Sequence, residues 1–327
     1  MKAFDTWERV LLALIVLMLF GFGFGIEGFF TPYALADSTY NFSEKALIAL
    51  AMALLLVAGE IDLSIAATMA LASLAMGLAM QAGASLPVML LAAVGTGALC
   101  GALNGWLVTR WMLPSIVVTI GTLSLYRGIA QVVLGDQAVT GYPETLTNWG
   151  NGSIGDLIGQ PWLIVPIQFG VMLVMAIGVG LFLHATVHGR RVYAIGANPI
   201  ASRFSGISVD RYRLLLFVFA GVMAALAAIL LTGRIGSTRP NLAMGWELDA
   251  ITIVILGGVA IEGGRGSIVG VILAAVLLGS FSFALGMLNV SGIVMSMLVG
   301  TLLIVAMVLP RWLKAFRRSG AAGPKLT

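Results

Sequence analysis

Long apolar stretches alternate with short polar turns along almost the whole chain. A helix needs about 20 apolar residues to cross a hydrocarbon core of about 30 Å. The pattern therefore predicts an all-α, polytopic membrane protein with about ten transmembrane helices, forming a single transmembrane domain over 1–327. The predicted spans are 10–27, 45–60, 63–82, 87–109, 114–134, 162–184, 213–233, 247–261, 267–287 and 292–310.

Two of the predicted spans are short, and each ends in a polar, glycine-containing turn. Residues 45–60 lead into G-E-I-D-L-S at 59–64, and residues 247–261 lead into E-G-G-R-G-S at 262–267. Short spans with such turns at matching places in two halves are typical of internal repeats that hold a functional site between them.

Charged residues stand in both turns, and two interpretations stay open. Ionised groups are costly in lipid, so buried carboxylates there would be functional. Alternatively, they form ion pairs at the cytoplasmic edge, Glu262 with Arg265 and the first turn with Arg110. The turn residues of interest are Glu60, Asp62, Ser64, Glu262 and Arg265.

The central polar loop, 185–212, is rich in arginine and fixes the orientation of the chain. Short loops that concentrate Lys and Arg stay on the cytoplasmic side of the membrane. The same rule places both termini inside, including a basic tail at 311–327. The turn-rich segment 135–161 is then a periplasmic loop.

A short helix is predicted inside the central loop. Asn198 is a favourable N-cap, Pro199 suits the first helical position, and Gly206 is placed to end the helix. A short surface helix of this kind suits docking into a groove on a partner protein, although a solvated connection would show a similar charge pattern. The candidate docking residues are Gly196, Asn198, Ala201, Arg203, Ser205 and Gly206.

Hydroxyl side chains interrupt the apolar helix predicted over 114–134. Thr119, Thr122 and Ser124 are candidates for lining a pathway for a neutral, polar ligand. Hydrogen bonding between neighbouring helices is the alternative use of such residues in membranes.

Four charges flank the seventh and eighth spans on the outer side, namely Arg234, Arg239, Glu247 and Asp249. Outer arginines depart from the usual distribution of basic residues. They are candidates for docking a periplasmic protein, because rim charges govern encounter rate and register. Pairing with each other or with lipid phosphate is the alternative.

Composition narrows the class of protein. Sixty per cent of residues are hydrophobic and 10% are charged, which a water-soluble chain of this length could not bury. The net charge of +4 lies in short groups beside the spans, with no basic domain to hold nucleic acid.

Motifs for catalysis or metal binding are missing from the sequence. It contains no P-loop and no H-E-x-x-H, one cysteine (Cys100), and two histidines, His184 and His188, at the end of one span. We expect no catalytic residues, no metal site and no cofactor in this chain. Any ATP hydrolysis belongs to another chain.

Several motifs in order carry a resemblance to a known family. They are P-S-I-V-V-T-I-G-T at 114–122, I-G-A-N-P-I-A-S-R-F-S-G-I at 195–207, the G-x-E-L-D-A at 245–250, and L-G-G followed by G-G-R-G-S at 256–267. Together they resemble the ribose-type sugar permeases of bacterial ABC importers, over about residues 44–310.

The resemblance implies partners and a location. Family members are all-helical, lie in the inner membrane, and form the pathway from two permease subunits, either identical or different. ATP-binding subunits, which hold ATP and Mg, grip a coupling helix that coincides with the one predicted at 198–206. A periplasmic sugar-binding protein delivers the ligand, and membrane lipid surrounds the assembly.

Shorter phrases bear on the ligand. Y-N-F-S-E-K-A-L-I-A-L at 40–50, G-E-I-D-L-S at 59–64 and V-L-G-D-Q-A at 133–138 resemble rhamnose-type permeases. Erythritol, ribose and autoinducer-2 systems share the scaffold and are the alternatives. An ion-coupled secondary transporter, a different class, would need carboxylates near the membrane midplane.

Overall fold

The computed structural model describes residues 6–160 and 162–295, together with 297, 298, 300, 301 and 304. Helices dominate these ranges, with one short antiparallel ribbon in which β1 (Val139–Thr140) pairs with β2 (Ser237–Thr238). The helices are α1 (Thr6–Gly25), α2 (Pro32–Val57), α3 (Ile65–Gln81), α4 (Leu86–Arg110), α5 (Ser115–Leu134), α6 (Glu144–Asn151), α7 (Ile154–Ile158), α8 (Ile167–Ala185), α9 (Val187–Ala197), α10 (Pro199–Phe204), α11 (Val209–Ile235), α12 (Trp246–Leu256) and α13 (Ile268–Met287).

Helix α2 forms the centre of the bundle. Every residue from Ala46 to Val57 is buried, and the segment is apolar on all faces, as expected of a helix surrounded by others. It packs against α8, α11, α12 and α13, while α11 also packs against α3 and α4. These contacts make α2 and α11 the frame on which the other helices are placed.

The outer helices α1, α4, α5 and α8 expose apolar side chains. Examples are Phe24, Leu99, Val132 and Val174. Such surfaces suit contact with hydrocarbon rather than water. The chain is thus a polytopic all-α membrane protein. In the described part of the chain, seven helices are long and apolar enough to cross a membrane, so the predicted count of ten is not confirmed.

The prediction of two short spans is half correct. The span expected at 45–60 is wrong, because α2 is a 26-residue helix that begins at Pro32 with Thr31 as its N-cap. Its first half was missed because polar residues such as Ser38 break the apolar run, yet the Ser38 hydroxyl donates to Leu35 O within the helix. The span expected at 247–261 is indeed short, since α12 has 11 residues and ends at Leu256.

Helix α3, predicted as a full span at 63–82, has only 17 residues. The predicted span 292–310 is helical at each residue that the structure describes there, and the basic tail 311–327 lies outside the described residues. Two of the predicted spans are thus represented by short helices in the described ranges, α3 and α12.

Helices α4 and α11 pack backbone against backbone. Gly97, Gly101 and Gly105 repeat every four residues on α4 and lie directly against α11, at Gly221, Phe217 and Leu214 respectively. A methyl group at Gly97 would overlap Gly221 O, and one at Gly221 would overlap Gly97 O. Small residues at this spacing allow helix backbones to touch in membranes, where van der Waals packing drives association.

The predicted periplasmic loop 135–161 is more ordered than its turn-rich sequence indicates. It contains β1, α6 and α7, and α6 packs against the outer end of α11. Hydroxyls anchor the ribbon to the bundle: Thr238 Oγ1 lies 2.6 Å from Tyr142 Oη and 2.5 Å from Ser73 Oγ. The segment is thus a folded cap rather than an open loop.

The α4–α11 contact leads to a prediction for Gly97→Ala. The added methyl group must push the two backbones apart, which we expect to cost about 1–3 kcal/mol and to lower the thermal unfolding midpoint in detergent. Gly95→Ala is the matched control, because Gly95 lies on the exposed face of the same helix with nothing within 4 Å. Equal midpoints for the two variants would show that the contact does not hold the bundle together.

Candidate coupling and translocation sites

The predicted short helix of the central loop is present as α10. The Asn198 side chain accepts a hydrogen bond from Ala201 N at 2.9 Å, Pro199 occupies the first turn, and Gly206 has φ +79°. The preceding segment was not predicted to be helical, yet α9 forms there, with the Thr186 side chain accepting from Gly189 N at 3.1 Å. Local capping thus creates two short helices at the arginine-rich end of the bundle.

The exposed surface of α10 is apolar at its centre. Ile200 is 67% exposed and Phe204 is 89% exposed, one helical turn apart. Two large apolar side chains, presented together on a capped helix, suit insertion into a hydrophobic groove of a partner. Neither residue was predicted as a docking residue, although their spacing of four residues is visible in the motif.

Arg203 and Ser205, predicted as docking residues, are bonded within the chain. The Arg203 guanidinium makes two hydrogen bonds to the Asp210 carboxylate, of 2.7 and 2.5 Å. These bonds raise the pKa of Arg203. The Ser205 hydroxyl donates to Ala201 O at 3.0 Å. Arg203 therefore ties α10 to the start of α11, while remaining 44% exposed at its side chain.

Beneath α10, three glycine-containing segments meet without side chains between them. Gly196, at the end of α9, lies against Val57 O at the end of α2 and against Gly264 N. Gly264 N donates to Val57 O at 2.8 Å, and a methyl group on Gly263 would lie 3.0 Å from Gly196 O. We call this meeting point, formed by Gly196, Val57, Gly263 and Gly264, the glycine junction. The glycine junction joins the central loop to both polar turns, which were predicted to occupy matching places in an internal repeat.

The first polar turn is held by a charge pair and by a buried hydrogen-bond network. Arg213 Nε lies 2.7 Å from Glu60 Oε1, but its N–H does not point at that oxygen, so charge attraction holds the pair. Arg213, rather than the expected Arg110, is therefore the partner of this turn. Asp62 accepts from Ser64 N and Ser64 Oγ at 2.9 and 2.7 Å.

The network continues to the next helix, because Asn104 donates to Ser64 Oγ at 2.8 Å. The second turn differs, since Glu262 and Arg265 are both exposed. The expected pair between them is wrong, as neither residue forms a salt bridge in the described ranges.

The three hydroxyl residues of α5 divide between two faces. Thr119 is fully buried and donates to Ser115 O at 2.8 Å, and it lies 3.3 Å from Ile61 O in the first polar turn. Thr122 is also buried, whereas Ser124 lies on the exposed face. Ser124 is therefore the exposed residue of the three, whereas Thr119 forms the helix-packing hydrogen bonds that the alternative interpretation predicts. The pathway role of these residues stays a prediction.

The outer charges are largely paired inside the bundle. Arg234 makes two hydrogen bonds to Glu44, of 2.9 and 2.8 Å, and the Glu44 side chain is 0% exposed. Lys45 Nζ lies 2.6 Å from Asp249 Oδ2. Arg234 and Asp249, predicted as docking residues, therefore form ion pairs that attach α2 to α11 and α12, and their docking role stays a prediction.

Arg239 keeps an exposed position at the same end. It lines an open polar cleft of about 570 Å³ together with Gln131, Asp136, Gln137 and Asn241. Arg127 fixes the loop that carries it by donating to Pro240 O and Leu242 O, both at 2.8 Å. Glu247 is half-buried, with Oε2 lacking a hydrogen-bond partner in the described ranges. Of the four charges, Arg239 alone is exposed, and it forms no salt bridge in the described ranges.

The two histidines do not share a site. His184 Nε2 accepts from Ile268 N at 3.3 Å, and His188 Nδ1 lies 2.8 Å from Tyr212 Oη. Within the described ranges no group of three His, Cys, Asp or Glu side chains could hold a metal ion.

The chain is similar to permease components of transport systems. The family described as "Branched-chain amino acid transport system / permease component" matches residues 34–307. The chain is 35% identical over 308 residues to the autoinducer 2 import system permease protein LsrD of Escherichia coli (strain K12), covering 92% of this chain and 91% of the relative. The same values hold for LsrD of Shigella flexneri. No solved structure matches the chain.

The buried pair at the outer end leads to a prediction for Arg234→Gln. Removing the guanidinium leaves Glu44 buried without a cation, which we expect to cost about 3–5 kcal/mol of folding free energy. Unfolding by heat or denaturant in detergent measures the loss, and the double variant Glu44→Gln with Arg234→Met should recover part of it. Arg239→Gln is the control and should unfold like the unaltered chain. If Arg234→Gln behaves like Arg239→Gln, the pair contributes no stability.

Proposed function

Because this chain belongs to the family of branched-chain amino acid transport system permease components, we propose that it is the membrane subunit of a bacterial ABC importer for a small sugar-type ligand. It is a multi-pass protein of the inner membrane. ATP is hydrolysed by a separate subunit that docks on α10. The observation that carries this proposal is the exposed pair Ile200 and Phe204 on a capped helix seated above the glycine junction.

The glycine junction gives docking a mechanical consequence. Force applied to α10 reaches Val57 and Gly264 through backbone contacts, and these residues adjoin the turns that begin α3 and α13. Backbone contacts of this kind transmit displacement without the slack of side-chain rotamers. ATP-driven closure of the partner would then move α3, α12 and α13 relative to the outer helices.

The ligand we propose is a small, neutral, polyhydroxylated molecule. The relatives named above are autoinducer 2 import permeases, which favours autoinducer 2, whereas the phrases at 40–50 and 133–138 favour rhamnose. Ion coupling stays the alternative of a different class: Glu44, Glu60 and Asp249 each pair with a basic side chain, which speaks against it, whereas the buried Asp62 accepts hydrogen bonds from Ser64.

Two further partners complete the proposal. A periplasmic binding protein would meet the polar cleft around Arg239 and deliver the ligand there. A second permease subunit would supply the other wall of the pathway beside the exposed face of α5 that carries Ser124. Whether that subunit is identical to this chain is decided by what co-purifies with it.

The docking role of α10 leads to a prediction for Phe204→Asp. An acidic group cannot enter an apolar groove, and loss of an interface anchor costs about 2 kcal/mol or more, so we expect the ATP-binding subunit to bind at least about thirtyfold more weakly. Co-purification and the affinity for the isolated ATP-binding subunit measure the effect. Trp162→Asp is the matched control, because Trp162 is also highly exposed but lies at the opposite end of the bundle.

In proteoliposomes that contain the binding protein, Phe204→Asp should abolish ATP-driven uptake of labelled autoinducer 2 or rhamnose, and Trp162→Asp should not. Full ATPase binding by Phe204→Asp would place the dock elsewhere. If the unaltered complex transports neither ligand, both of these ligand assignments are wrong, while the docking assignment is judged separately.

A further inference from the structure

A groove opens on the membrane-facing surface between α8 and α11, near the arginine-rich end of the bundle. Both helices pack against α2, and Leu54 of α2 forms the floor of the groove. Its volume is about 360 Å³, and its walls are almost entirely apolar. The wall residues used below are Met175, Gly178, Phe182, Leu215 and Phe219.

The groove has one polar end. His188 and Tyr212 line it there, with His188 Nδ1 2.8 Å from Tyr212 Oη. Arg191 donates to the same hydroxyl at 3.0 Å. Because the hydroxyl accepts this bond, its own proton is free to be donated to His188. The result is a positively charged rim directly above an apolar channel.

The charge of this rim is not neutralised within the chain. In the part of the chain that the structure describes, no carboxylate lies within 4 Å of Arg191. Arg190 and Arg211 are also exposed, and neither forms a salt bridge within the described residues. Arg213, by contrast, is paired with Glu60. An anion on the cytoplasmic side therefore meets several cations that have no internal partner.

The dimensions match one class of molecule. From Tyr212 to Phe219 the groove extends along α11 by about 10 Å. This length is shorter than the hydrocarbon layer of one leaflet, which is about 15 Å thick. A phospholipid has the same order of groups, a charged head above an apolar chain. The outer face of α8 beside the groove is apolar too, with Val174, Ile177 and Leu181 exposed.

We propose that this groove is a binding site for an anionic phospholipid of the cytoplasmic leaflet. The phosphate group contacts Arg191 and the Tyr212–His188 pair, and one acyl chain lies along Gly178 and Leu215 over Leu54. Basic pockets between membrane helices on the cytoplasmic side recognise acidic headgroups in this way. Since Tyr212 lies in the first turn of α11 and His188 in the first turn of α9, the lipid would brace the central loop against the bundle.

The test uses the full chain, with the subunits that co-purify with it, in nanodiscs of phosphatidylcholine with or without phosphatidylglycerol of the same acyl chains. Native mass spectrometry counts retained lipid, and thermal unfolding reports stabilisation. We expect phosphatidylglycerol to be retained preferentially. Arg191→Gln should weaken its binding about fivefold, as expected for one cation at the membrane surface, and Arg191→Lys should restore most of it.

Gly178→Leu tests the acyl-chain half of the site separately. Gly178 lines the groove and has nothing within 4 Å of an added methyl group, so the larger side chain fills the groove without a clash at its base. It should remove the preference for phosphatidylglycerol. Gly95→Leu is the matched control, because Gly95 is an exposed helical glycine on α4 outside the groove.

Several outcomes would overturn the proposal. They are equal retention of the two lipids by the unaltered chain, stabilisation by inorganic phosphate equal to that by phosphatidylglycerol, and unchanged lipid preference in Gly178→Leu. Loss of a co-purifying permease or ATP-binding subunit from Gly178→Leu, with lipid preference intact, would identify the groove as a protein interface instead.

Discussion

Backbone contact at the glycine junction is the constraint on which the coupling end of this protein depends. Gly196, Gly263 and Gly264 bring three chain segments to a separation that no side chain would permit, and the hydrogen bond from Gly264 N to Val57 O fixes their register. A flexible loop under α10 would absorb a displacement, whereas touching backbones pass it on. A displacement of α10 should therefore change the positions of α3 and α13.

The opposite end is held by a different physical interaction. There the ion pairs Arg234–Glu44 and Lys45–Asp249 attach α11 and α12 to the central helix α2. Burying the two charges costs desolvation free energy, and their mutual attraction offsets that cost only while both partners are present. At the arginine-rich end the Arg213–Glu60 pair adds charge attraction to the backbone contacts, and the long helices α2 and α11 connect the two ends.

Much of the fold was predictable, because apolar length and basic-residue placement act locally along the sequence. The cap of α10 was predictable for the same reason, since Asn198, Pro199 and Gly206 act within one short segment. The junction and the ion pairs were not, because each joins residues far apart in the chain. Glu44 and Arg234 are 190 residues apart, and no local pattern selects Arg213 over Arg110 for Glu60. The three hydroxyl residues of α5 were assigned one role for a related reason. Helical periodicity alone does not say which face of α5 the first polar turn covers.

In the mechanism we propose, α9, α10 and the two polar turns move as one body during transport. Electron paramagnetic resonance between spin labels at Ser205 and Glu262, both exposed, tests it in the complete complex, with the native Cys100 buried. A second pair, Ser205 with Gln131 at the outer part of α5, reports whether the helices move at all. The account predicts that trapping ATP changes the Ser205–Gln131 distance and leaves the Ser205–Glu262 distance unaltered. A change in the Ser205–Glu262 distance as large as that of the second pair would contradict it.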